Sequence, residues 1–160
     1  MTSKDHHLGP QTQFVAERAA HLAGIRAWLD EAALQNTPAP IALDVARGPW
    51  PRQQFDAFFS ANTLHIMAWP EVEALFGALP ALASADAKLA IYGPFNYAGR
   101  FTSASNADFD RNLKSQAPHM GIRDFADVDR LARAAGFVLI EDAAMPANNR
   151  CLVWQRHAPA

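Results

Sequence analysis

With 160 residues, half of them hydrophobic and 19% charged, the chain has the size and composition of one globular domain, not of a disordered segment. A formal charge of −2 gives no electrostatic case for nucleic acid or an anionic membrane surface, and no apolar run approaches the ~20 residues that span a bilayer. One cysteine, Cys151, cannot form an internal disulfide and points to a reducing, cytoplasmic setting.

The first 13 residues carry Gly9-Pro10 and little hydrophobic pattern, and read as a loose leader before one domain over residues 14–160. Val15, Leu22, Ile25, Leu29 and Leu34 recur at helical spacing, extended by Trp28 and Ala32, which predicts a helix over Phe14–Leu34. Asn36 to Pro40 ends it, since the residue before a proline is driven out of the α region. Ile41–Val45 reads as a strand, followed by the rigid Gly48-Pro49-Trp50-Pro51 connection. Phe55–Ile66 is almost continuously apolar, the pattern of a strand buried on both faces of a parallel sheet.

Pro70 suits the first turn of a helix running through Val72, Leu75, Phe76 and Leu79. Lys88–Phe95 is the next strand, closed by Gly93-Pro94, and a loop leads to a short helix around Ala107–Ser115. Asp124–Ala135 is amphipathic and Gly136 is placed to stop it. Two last strands flank a tight turn at Met145–Asn149, an antiparallel hairpin at the end of an otherwise parallel sheet. Strands alternating with helices make this an α/β fold with a mostly parallel sheet.

That ending resembles class I S-adenosylmethionine (SAM)-dependent methyltransferases, whose Rossmann-like sheet closes with an antiparallel strand. A series of phrases is similar to one methyltransferase-like group, the domain-of-unknown-function 938 family. They are IRAWL, ALDV at Ala42–Val45, SANTLHI at Ser60–Ile66, YGPF at Tyr92–Phe95, SNADFDRNL at Ser105–Leu113, GIRD at Gly121–Asp124 and MPANNRCLVW at Met145–Trp154. The resemblance runs over residues 22–156 and implies SAM as cofactor and a small-molecule methyl acceptor. It departs at the start: neither a glycine-rich turn after a first strand nor a second strand ending in an acid is recognisable, and residues 1–21 match no part of the family. The expected fold is therefore N-terminally truncated, with the Ile41–Val45 and Phe55–Ile66 strands pairing with each other or with another chain.

By this resemblance Asp44 accepts a hydrogen bond from the adenine amino group, and Ser60, Ala61 and Asn62 border the cofactor. Asn62 and His65 lie at the carboxyl end of the central strand, at the ligand-binding rim, where an amide orients a nucleophile and an imidazole takes its proton. The bland alternatives are an Asp satisfied by its own loop and two polar residues satisfied by strand-end backbone. Tyr92, Phe95, Asn106, Arg123 and Asn148 are placed around the acceptor, Arg123 as the cation for an anionic group. No cluster has metal-ligand spacing, Cys151 reads as core, and Trp28, Trp50, Trp69 and Trp154 read as packing residues. The rival to an enzyme is an interaction module that pairs through an exposed strand edge, with itself as a homodimer or with a partner.

Overall fold

The computed structural model describes residues 16, 17 and 19–157, which divide into two compact units meeting between Trp50 and Pro51. The leader expected over residues 1–13 lies outside the described residues.

In the first unit, β1 (Ala16–Glu17) pairs in parallel with β2 (Ile41–Ala42), and a hydrogen bond from Leu43 N–H to the Glu17 carbonyl (2.9 Å) extends the ladder. Between them lie a single 3₁₀ turn, Ala19–His21, and the helix α1 (Leu22–Ala32). Within the helix expected over Phe14–Leu34, Ala16–Glu17 form a strand and the α-helix begins at Leu22; Phe14 and Val15 lie outside the described residues. Ala33 ends it in the left-handed conformation (φ 48°), its N–H returning to the Leu29 carbonyl. Leu22, Ile25 and Leu29 are half-buried, but Trp28 is 78% exposed, against its expected packing role.

The second unit is a four-stranded sheet in the order β3-β4-β8-β7, with helices on one face. β3 (Phe55–Ala61) runs parallel to β4 (Ala83–Gly93), joined through α2 (Trp69–Leu82). A two-residue pair follows, β5 (Phe95–Asn96) with β6 (Arg123–Asp124), on either side of α3 (Ala104–Gln116). After α4 (Phe125–Ala134), the hairpin β7 (Phe137–Met145) and β8 (Asn149–Arg156) closes the sheet, with β8 antiparallel to both β4 and β7. The expected C-terminal hairpin is present. The first two expected strands do not pair with each other: Ile41–Ala42 pairs with β1 and Phe55–Ala61 with β4.

Alternation sorts the sheet residues. Registers place Phe58, Leu89, Trp154 and Leu139 in one row on the helix-covered face, where Leu89 and Trp154 are buried against Val72, Phe76 and Leu79 of α2 and Val128 and Ala132 of α4. Trp154 is fully buried and its indole N–H donates to Asp129 Oδ1 (2.9 Å), so burial leaves no orphaned donor. The opposite face carries Phe59, 72% exposed. β3 is therefore an edge strand with one open face, not the doubly buried centre its apolar run suggests.

Candidate functional site at the strand ends

Where β3 stops, the chain turns sharply. Asn62 adopts a positive φ of 55°, a conformation asparagine tolerates better than most residues, and its N–H still bonds the Tyr92 carbonyl (2.9 Å). Ile66 and Met67 N–H groups bond the Thr63 carbonyl, and the Ser60 and Thr63 hydroxyls pair across the turn. This turn brings two side chains together over one glycine. A Cβ built on Gly93 would lie 3.7 Å from Asn62 Oδ1 and 3.8 Å from His65 Nδ1. The absence of a side chain there leaves the space into which amide and imidazole both reach.

His65 is only 7% exposed, its ring edge-on to Phe109 with centroids 5.3 Å apart, and its carbonyl accepts the Gly121 N–H (2.9 Å). Burial, and secondarily the charge of Arg123, hold its pKa below the ordinary 6.5. The imidazole is therefore neutral at neutral pH and competent to accept a proton.

Arg123 does something other than what its sequence position suggests. Its guanidinium donates through Nε to the Leu64 carbonyl (3.0 Å) and through one Nη to the carbonyls of Met67 and His119, while lying over the Trp69 ring. It pins the turn that carries His65. Asp110, buried on α3, accepts from the Ile122 N–H (2.8 Å) and from Lys114 Nζ (2.6 Å). Gly121 lets that carboxylate approach, since a Cβ there would sit 3.0 Å from Asp110 Oδ1.

The hairpin turn is clasped to the start of α3. The Asn106 amide, 5% exposed, donates to Thr102 Oγ1 (2.9 Å) and to the Asn148 carbonyl (3.2 Å), and the Asn148 amide donates to Ser105 Oγ (3.1 Å). Tyr92 accepts through its hydroxyl from the Asn149 amide (3.1 Å). Asn106 and Asn148 thus meet, and their amides are spent on each other's segments. Phe95, expected to wall that pocket, is 2% exposed and belongs to the apolar core. Cys151, expected in the core, is half-buried.

A cluster that sequence reading missed lies nearby in the same unit. Tyr97 donates its hydroxyl to Asp142 Oδ2 (2.8 Å), Asp142 accepts Arg150 Nε at Oδ1 (2.7 Å), and the Tyr97 ring stacks on Phe125. Burial and the Asp142 carboxylate push the phenol up to about 12. Its members are 45 and 8 residues apart, so no local pattern announces it. A cleft of about 440 Å³ is lined by Trp69, Asn96, Ile122, Arg123, Asp124 and Arg130 among others; neither Asn62 nor His65 is among its walls.

In the first unit, Asp44 is exposed and its Oδ1 accepts the N–H groups of Ala46 (3.0 Å) and Arg47 (3.3 Å), the self-satisfied loop arrangement. Glu17 ends β1, beside the strand that leads to Asp44. An acid thus closes a short parallel strand where the helical pattern expected from Phe14 showed none.

A model of the family described as protein of unknown function (DUF938) matches residues 6–156. The chain belongs to this family. The match reaches back through most of residues 1–21, which sequence reading had set apart as foreign. Among solved structures, the DUF938 chain is similar to an O-methyltransferase family protein from Burkholderia thailandensis (16% identity, TM-score 0.78, covering 93% of this chain and 45% of that one). It is similar also to an O-methyltransferase family 2 protein from Planctomyces limnophilus in complex with apigenin (13%, 0.78, 91% and 42%). A third is CalO1, the methyltransferase in calicheamicin biosynthesis, in its SAH-bound form (16%, 0.72, 92% and 42%). At these identities the likeness establishes the fold, a Rossmann-like class I methyltransferase fold. The DUF938 chain spans less than half the length of each of these proteins.

Proposed function

We propose that this chain carries the acceptor side of a SAM-dependent methyltransferase acting on a small molecule. The observation that supports this most is the convergence of Asn62 and His65 over Gly93, at the carboxyl ends of two parallel strands, where open α/β sheets bind ligands.

In this reading the strand end at Ser60, Ala61 and Asn62, within the second unit, borders the methyl-bearing end of an adenosyl cofactor. When bound, SAM supplies an electrophilic methyl group. The chain's own residues do the rest. Asn62 holds the acceptor's hydroxyl or amine by hydrogen bond, and His65 removes its proton as a neutral base. Phe109 and the Arg123-pinned turn keep His65 in place and partly dry, so orientation supplies most of the acceleration. Arg123 is then a positioning residue and not the ligand of an anionic substrate.

Calorimetric titration with SAM and S-adenosylhomocysteine, beside a thermal melt, tests this. Saturable binding that raises Tm, and that weakens when Asn62 is changed to Ala, is the expected result. A cooperative melt that neither compound moves would overturn the cofactor assignment. A second reading, association through a strand, draws on the edge position of β3 in the four-stranded sheet.

A further inference from the structure

The helix α3 lays Phe109 on His65 with one buried apolar residue of its own to hold it there. Its buried residues are Asn106, Asp110 and Leu113, so two of the three are polar. Asn106 ties the start of the helix to the hairpin turn. Asp110 ties its middle to the segment before β6, and uses both carboxylate oxygens. Oδ1 accepts the Ile122 N–H (2.8 Å) and Oδ2 accepts Lys114 Nζ (2.6 Å). The residue is 3% exposed. A buried carboxylate is costly to desolvate, and an apolar residue of similar size often holds a core as well. What Asp110 places therefore explains it better than what it stabilises.

Both neighbours of this contact lead to His65. On the helix, Phe109 precedes Asp110 and lies edge-on to the His65 ring (5.3 Å between centroids). Across the contact, Ile122 follows Gly121, whose N–H donates to the His65 carbonyl (2.9 Å). Gly121 makes the approach possible, since a Cβ there would lie 3.0 Å from Asp110 Oδ1 and 3.1 Å from Lys114 Cε. One route fixes the ring of His65 and the other its backbone. We infer that Asp110 is a positioning residue for His65, locking α3 to the Gly121–Ile122 peptide so that imidazole and backbone are set together.

The route is mechanical and not electrostatic. Burial, and then the charge of Arg123, lower the pKa of the imidazole. The charge of Asp110 is answered by Lys114, Asp108 and Arg111 of the same helix pair with each other at the surface, and His119 is exposed. The inference rests on His65 as the proposed base, but its consequences are read on the imidazole itself, whether or not SAM binds.

Proton NMR titration of the histidine ring signals of the whole chain tests it, with His65 identified by the signal lost in His65→Gln. In the unaltered chain His65 titrates below 6.5. Asp110→Leu removes the acceptor of the Ile122 N–H, loosens Phe109 and Gly121 together, and lets water to the ring, so the titration moves up towards 6.5. Asp110→Asn keeps an oxygen for that N–H while giving up the charge, and leaves the titration where it was. Gly121→Ala crowds the carboxylate off Ile122 and acts like Asp110→Leu, which carries the test should the leucine variant not fold. A lowered Tm with an unmoved His65 titration in Asp110→Leu and Gly121→Ala overturns the inference, because Asp110 then only stabilises. An asparagine variant that behaves like the leucine one overturns it too, since charge and not the bond to Ile122 would then set His65.

Discussion

The helices α1 and α4 have similar lengths and both follow a short strand, yet they are held by different means. α4 buries Val128 and Ala132 completely, caps its start with the Asp124 carboxylate accepting the Ala126 N–H (2.9 Å), and docks under Trp154 through Asp129. α1 buries none of its residues, has no side-chain cap, and leaves Trp28 exposed. Helices of this length draw most of their stability from packing and not from propensity. The second unit therefore has its own core, whereas the first rests on a two-residue parallel ladder and a loop that Asp44 satisfies.

The contrast is sharpest at its tryptophans. Trp154→Ala removes the largest side chain of the core together with its hydrogen bond to Asp129, and is expected to cost about 3–5 kcal/mol, read as a lowered denaturation midpoint. Next come two pH effects confined to the second unit. Tyr97 has its pKa raised above the unfolded value of 10, so its contribution is complete below pH 10 and is lost as pH rises towards about 12. With only two tyrosines in the chain, a late phenolate absorbance step that Tyr97→Phe abolishes would identify it. His65 has its pKa lowered, so the folded state binds its proton less readily than the unfolded chain does. Its contribution is present above pH 6.5 and declines as pH falls below that value, and His65→Gln should flatten the acid limb of a Tm-against-pH curve. The smallest effect belongs to the first unit: Trp28→Ala should move stability within about 0.5 kcal/mol, and a larger loss would show that α1 is packed in solution.

Element types in the second unit were legible because apolar runs there are separated by strong turn signals, Gly93-Pro94, Gly136 and Met145–Asn149. The place of each strand in the sheet was not. A continuous run such as Phe55-Asp56-Ala57-Phe58-Phe59 looks doubly buried, but residue type does not distinguish a centre from an edge, and Phe59 faces outward. In the first unit, two residues of strand are too few for any period to appear.

The site divides in the same way. Asn62 and His65 stand out because both fall at the end of a run of strand residues, where ligands bind. Phe95 was misplaced since the break at Gly93-Pro94 resets which way side chains point. Arg123 reads locally as a surface cation, and only folding brings it to Leu64 and Met67, 59 and 56 residues earlier. Long-range capture of carbonyls by a guanidinium leaves no trace in spacing.

The order of β3-β4-β8-β7 carries a consequence for how the chain is made. β8, made after the other three strands of this sheet, is an inner strand, and β7 touches β4 only through it. Until Arg150 to Arg156 have emerged, Trp154 is missing from the core, β7 has no neighbour, and Asp142 has no arginine. A nascent chain arrested before Asn149 would hold helices and two parallel strands with a gap in the sheet. The sheet of the second unit is therefore completed in one event that waits for β8.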